Sequence, residues 1–357
     1  MAAASELVLA RPDDWHVHFR DGETLAATVP PIARVFGRVV AMPNLAPPVV
    51  TVEAALAYAA RLRAAAGAHR HFEPLVSLYL TEATPPEAIA AAKAEGLIAV
   101  KWYPAGATTH AEAGVADIGR VDDVLAAMAE TGLVLQVHGE VTDPDVDVFD
   151  REATFVERTL APLVARHPTL PVVLEHVTSR AGVDFVRAAR DGVAATITAH
   201  HLLIDRNDLF LGPEGPGLRP HCYCLPVAKT RADRLALVAA ATSGEPRFVL
   251  GSDSAPHPRA RKESARAPAG IYTGHAVLEL YAEVFEAAGA LDRLEAFAAH
   301  HGADFYRLPR ARERVVLRRE PWVVPAELPL GSGTVVPLRA GGSIAWRVDD
   351  TSGSSSG

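Results

Sequence analysis

The chain has 357 residues, of which 49% are hydrophobic, enough to bury one large core or two ordinary ones. Its formal charge of -8 is spread without a basic block, which argues against nucleic acid or an anionic membrane surface as partner. No apolar run reaches the length of a membrane span, and the opening MAAASELVLARPDD lacks the basic region of an export signal, so a cytoplasmic location is expected. Cys222 and Cys224 in HCYCLP are the only cysteines and are read as reduced thiols rather than a disulfide.

Taken in chain order, short β-rich runs alternate with longer alanine-rich stretches. The runs are ELVLARPDDWHVHF (6–19), RVVAMPN (38–44), EPLVSLYL (73–80), LIAVKWY (97–103), LVLQVHGE (133–140), PVVLEHVT (171–178), VAATITAHHL (193–202) and RFVLGSDSAPH (247–257). Segments such as TVEAALAYAARLRAAAG and TRADRLALVAAATSG lie between them, with helical apolar spacing and a threonine in N-cap position. Eight runs without strict alternation, each followed by a helix, predict parallel strands buried on both faces and an α/β fold, a (β/α)8 TIM barrel over 1–308. An open doubly wound sheet is the alternative, but no G-x-G-x-x-G turn follows the first run. From 309 to 348 the pattern turns proline-rich with short strand-like pieces, a C-terminal extension packed on the barrel. The tail 349–357 is polar, low in complexity and expected to be disordered.

The unusual residues fall at the C-terminal ends of these runs, the face where barrel enzymes keep their active sites. His16 and His18 are two apart, so a strand aims both imidazoles the same way. His138, His176 and Asp253 end three further runs, and Lys101 lies within the fourth. A single histidine is more often a hydrogen-bonded core residue than a ligand, but four of them converging with a carboxylate and an amine read as a metal centre. His69, His71, His167 and the pair at 300 and 301 stay with the ordinary reading; His200 and His201 end the seventh run and receive no role.

An ammonium in LIAVKWYP would be buried among apolar neighbours and pushed toward its neutral form. Four neutral imidazoles and one aspartate also leave two divalent cations short of negative charge. Addition of CO2 to the Lys101 amine answers both, because a carbamate offers two oxygens to bridge two metals. A Schiff-base lysine, as in an aldolase-like lyase, and a lysine reaching to the rim are the competing readings.

The segments RPDDWHVHFRDG, AMPN, VKWYPAGATT, VHGE, LEHVTS, RPHCYCLP and GSDSAPHPRARKES, in that order from about residue 11 to 270, resemble the dihydroorotase family, in its shorter single-domain form within the amidohydrolase superfamily. The resemblance implies a dinuclear zinc barrel interconverting N-carbamoyl-L-aspartate and L-dihydroorotate in pyrimidine (UMP) biosynthesis. It makes His16, His18 and Asp253 ligands of one Zn2+, His138 and His176 ligands of the other, and carboxylated Lys101 the bridge. A bridging hydroxide would attack the metal-polarised ring carbonyl, with Asp253 as general acid and base. Arg20, Asn44 and His257 would hold the substrate carboxylate, backbone groups of Leu225 and Ala269 the ring, and Thr108 and Thr109 would close over it on the loop 104–114. After KES the chain reads ARAPAGIYT, where cysteine-containing versions are common in the family. A homodimer is implied as well. Two rival readings are another cyclic amidohydrolase, a dihydropyrimidinase or hydantoinase, and a non-catalytic dihydroorotase-like scaffold. The first generally adds a β-sandwich built from both chain ends, and the second is expected to have lost ligand positions.

Overall fold

The computed structural model describes residues 5–213 and 215–349. Eight parallel strands form the barrel: β1 (Asp14–Val17), β2 (Arg38–Ala41), β3 (Glu73–Val76, resumed at Leu78–Tyr79), β4 (Ala99–Trp102), β5 (Val134–His138), β6 (Val172–Glu175), β7 (Val193–Ile197) and β8 (Phe248–Leu250). β1 to the first part of β3 make one hydrogen-bonded sheet, and the rest of β3 runs in order to β8 in another. Closure between β8 and β1 comes just past the strand ends, where Asp253 N donates to His16 O at 2.8 Å and His18 N to Ser254 O at 3.0 Å. β3 is interrupted at Ser77, whose hydroxyl turns inward to Gln136 on β5. The Gln136 amide then donates to the Tyr306 hydroxyl at 2.9 Å, and Tyr306 stacks on Trp15 at 4.5 Å, closing the barrel floor with a polar knot.

The threonines at the helix starts act as caps. Thr51 accepts from Ala54 N ahead of the helix Val52–Ala65, and Thr230 forms a reciprocal capping box with Asp233 ahead of Arg231–Ala241; such caps contribute about 1 kcal/mol each. No helix among the described residues is long and apolar enough to cross a membrane, and both cysteines are buried free thiols.

The run 6–19 is not one strand. Pro12 cannot donate to a ladder, and the chain divides there. Glu6–Ala10 stays outside the barrel and pairs antiparallel with Arg314–Arg318, which pairs in turn with Arg347–Val348. The C-terminal segment thus forms an outer sheet with the N-terminal strand. It is fastened to the helix Val277–Ala287 by the Trp346 indole, which donates to Glu286 at 3.1 Å, and by Val348 N, which donates to Glu279 at 3.2 Å. Asp349 still belongs to this sheet, through Arg318 Nε at 2.9 Å; the expectation for the remainder of the tail, 350–357, lies outside the described residues.

Candidate metal and active site

Strand register brings the chemistry together. Lys101 on β4 faces Gln136 on β5, and His138, two residues on and so on the same face, lies opposite Glu175 on β6. His176 follows Glu175 and Asp253 follows β8, both turned into the mouth by left-handed backbone, φ 40° and 43°. Of the six non-glycine residues with positive φ among those described, four lie at or beside this mouth: Arg20, His110, His176 and Asp253. Such strain costs of order 1–3 kcal/mol per residue and persists where surrounding structure fixes it.

The rings pack edge to face: His16 to His18 at 5.4 Å, His16 to His176 at 5.0 Å and His138 to His176 at 4.8 Å between centroids. Asp253 Oδ1 lies 3.0 Å from His18 Nε2 and 3.5 Å from His16 Nε2. Lys101 is fully buried, its ammonium 5.0 Å over the Tyr103 ring. Burial brings its pKa down to about 8, against the opposing pull of Glu175 and Asp253. Burial likewise holds His18 and His176 well below the ordinary histidine value and raises the Asp253 carboxyl. His18 and His176, and His16 by the same burial, are therefore held toward the neutral imidazole, the form that binds metal.

Two carboxylates that the sequence reading passed over set the ring orientations. Glu175 accepts from His16 Nδ1 at 2.7 Å and from the Thr196 hydroxyl at 2.6 Å, leaving His16 Nε2 for the cluster. Glu140 takes His138 Nε2 at 2.8 Å, leaving Nδ1. An acid inside the apolar strand VVLE was the available signal, since a buried charge needs a partner.

The pocket above this floor is lined by His18, Arg20, Asn44, Thr108, Thr109, Leu225 and Ala269 among others. His16 and Lys101 sit beneath it, and His257 stands behind Arg20, its Nε2 at 2.8 Å from the guanidinium and 2.9 Å from Ala269 O. Tyr103 and Cys224 also line it, and neither was anticipated. Asn44 donates its amide to Thr109 O at 3.0 Å, while its Oδ1 has no partner. His200 and His201 fall on the short helix Ala199–Leu203 rather than on the strand; both are buried, and His201 packs against Cys224.

Whether these residues suit a metal is decided by what they lack. His16 Nε2, His176 Nδ1 and Lys101 Nζ are buried without hydrogen-bond partners, and each such group costs about 1–3 kcal/mol if left unsatisfied. Neutral imidazole, carboxylate and lysine-derived donors are what a divalent zinc-type ion takes, so the donor set fits.

A parallel eight-stranded barrel with this cluster at the C-terminal ends of its strands defines a metal-dependent amidohydrolase. The chain belongs to the dihydroorotase family. It is 59% identical to the dihydroorotase of Alkalilimnicola ehrlichii over 96% of this chain and 99% of that one, and 56% identical to that of Shewanella amazonensis over 97% and 100%. Among solved structures, dihydroorotase from Saccharomyces cerevisiae in complex with 5-fluoroorotic acid matches with a TM-score of 0.87 at 32% identity, covering 97% of this chain and 99% of that one. The Campylobacter jejuni dihydroorotase matches with 0.88 at 32%, covering 98% and 99%. The L-hydantoinase of Arthrobacter aurescens, with 0.77 at 17% identity over 96% and 82%, shares the fold. A scan against protein-family models found no match.

Proposed function

We propose that this protein interconverts N-carbamoyl-L-aspartate and L-dihydroorotate, the ring-closing step of pyrimidine biosynthesis, at a centre of two zinc ions. His16, His18 and Asp253 would hold one ion, His138 and His176 the other, and carboxylated Lys101 would bridge them. Two ions so held would polarise the amide carbonyl and lower the pKa of water toward neutrality. CO2 adds to the neutral Lys101 amine, forming one N–C bond and releasing one proton; an amine with a pKa of about 8 is neutral at pH 7 roughly two hundred times more often than an ordinary lysine.

In ring closure, Asp253 would take the proton from the ureido nitrogen as that nitrogen bonds to the side-chain carboxyl carbon, and deliver it to the departing carboxylate oxygen, which leaves as hydroxide; one further proton from solvent turns that hydroxide into water. Ring opening reverses each transfer. Burial raises the proton affinity of Asp253, which suits a group that must carry a proton in mid-reaction. The Arg20 guanidinium, with Asn44 and His257, receives the second carboxylate in a planar fork. Thr108 and Thr109 cover the ring, and backbone groups of Leu225 and Ala269 take its polar edge. The protein works as a homodimer in the cytoplasm.

One observation carries this reading. The same pocket joins the histidine, lysine and aspartate cluster to a guanidinium that forms no ion pair among the described residues, Arg20 being bonded to Pro256 O and His257 instead. A substrate with a cyclic amide at one end and a carboxylate at the other fits both. The 5-fluoroorotic acid held by the yeast relative has that pattern. The test is ring opening by zinc-loaded protein of L-dihydroorotate, with dihydrouracil, which lacks the carboxylate, in parallel. Turnover of the first alone is expected; turnover of dihydrouracil alone supports a dihydropyrimidinase, and silence on both supports a scaffold.

A further inference from the structure

Lys262 lies on the short helix Arg259–Lys262 and is buried. Its ammonium spends all three donors on main-chain carbonyls: Tyr223 O at 2.8 Å, Pro268 O at 2.9 Å and Gly270 O at 2.8 Å. The first belongs to the segment that carries Cys224 and Leu225 to the pocket, and the other two flank Ala269. Gly270 N closes the knot by donating to Tyr223 O at 3.1 Å. The chain of contacts continues outward, since Ala269 O meets His257 Nε2 and His257 meets Arg20.

A buried ammonium without an acid is unusual, because charge taken from water is normally paired. Here no ion pair is formed by Lys262 or by Arg20 among the described residues, the neighbouring Glu263 being engaged by Arg259 and His221. Burial lowers the proton affinity of Lys262, the Cys224 and Cys222 thiols oppose that shift, and Arg20 adds to it; burial and then both cations depress the proton affinity of the His257 ring between them. Two positive charges that form no ion pair among the described residues therefore lie on one side of the pocket, Arg20 lining it and Lys262 behind the backbone that does.

We propose that Lys262 is a positioning residue and the second cation of the substrate carboxylate site: it fixes the Tyr223–Leu225 and Pro268–Gly270 backbones against each other and adds, without contact, positive charge behind the wall that holds the anion beside Arg20. The proposal rests on the pocket recognising a carboxylate, as above.

The test is steady-state kinetics on the zinc-loaded protein with L-dihydroorotate, for wild type, Lys262→Met and Lys262→Arg. Lys262→Met is expected to raise KM at least tenfold, with kcat within threefold and metal content unchanged; Lys262→Arg, which keeps the charge, is expected to recover most of that loss. Unchanged KM in a folded Lys262→Met protein, or loss of kcat together with metal, overturns the proposal. A pH series on wild type is independent of whether the methionine variant folds. The groups facing Lys262 are Arg20, His257, Cys222, Cys224 and Tyr223, whose ring lies 5.4 Å from the ammonium; burial takes His257 down to about 2 and raises both thiols and the Tyr223 phenol, while Lys262 itself comes down to about 8. Lys262 is thus the facing group that loses charge between pH 7 and 9, and KM should rise severalfold across that interval in wild type and stay flat in Lys262→Arg. Parallel profiles for the two proteins contradict the proposal. Wild type inactive on L-dihydroorotate at every pH would instead overturn the functional reading on which it rests.

Discussion

At the scale of single residues, the account turns on Lys101 and Arg20, two cations with opposite fates. Lys101 sits where an ammonium cannot be solvated, and its lack of any hydrogen-bond partner is the observation on which the proposed carboxylation rests. With 13C-bicarbonate, wild type should show a carbamate resonance and Lys101→Ala none, and short carboxylic acids should partly restore the variant's activity. Full activity of the variant without rescue contradicts the bridge. Arg20 stays charged at the rim, and Arg20→Ala should lower kcat/KM by roughly 100-fold or more, the loss of about 3 kcal/mol of charge-assisted contact, with metal content intact. Glu175 acts one step back, through His16. Glu175→Gln should weaken metal binding by about 10–100-fold, read by chelator competition. These residues differ in how visible they are in the sequence. His16, His18, His138 and His176 announce themselves by type and strand-end position, whereas Glu175 is legible only as an acid in an apolar strand, and Glu140 looks like any polar residue after a strand.

At the scale of elements, local contacts hold the loop 104–114, which carries the proposed Thr108 and Thr109 cover, against the pocket. It is held inward by Asn44 Nδ2 on Thr109 O, by the Tyr79 hydroxyl on His110 O at 3.2 Å and by His110 Nδ1 on Asn44 O at 3.1 Å. Asn44 thus has its amide on the loop, so the residue proposed to meet the substrate carboxylate also holds the loop in place. Gly114 ends the loop, where an added Cβ would lie 2.1 Å from Tyr103 O, a backbone clash that no rotamer relieves. Gly114→Ala should therefore lower kcat/KM at least tenfold while leaving metal stoichiometry intact, checked by kinetics and metal analysis on the same sample. The small residues and adjacent threonines mark this loop in the sequence; the Tyr79 latch does not show, because a buried tyrosine in a strand reads as core. Pro12 marks the division of 6–19 in the sequence, but where the first half goes does not show: only the partner strand more than 300 residues away reveals that the two halves belong to different sheets.

At the scale of the whole molecule, the eight-fold βα rhythm made the barrel legible because each strand is buried on both faces by local neighbours in sequence. The outer sheet was not, since it joins the two ends of the chain. Its contribution can be measured: Leu317 is fully buried between those ends, and Leu317→Ala should cost about 2–5 kcal/mol, read from denaturant midpoints at constant slope. Metal acts on the same scale, because ions that bind the folded state alone stabilise it by mass action. Chelation should accordingly lower the melting temperature by several degrees and zinc should restore it.

The measurement that bears most directly on the central claim is the metal content of purified wild type and Lys101→Ala, taken alongside turnover of L-dihydroorotate. Two zinc equivalents per chain with activity in wild type, and loss of at least one equivalent together with activity in the variant, is the predicted result. Two equivalents retained by an active Lys101→Ala protein would contradict the account.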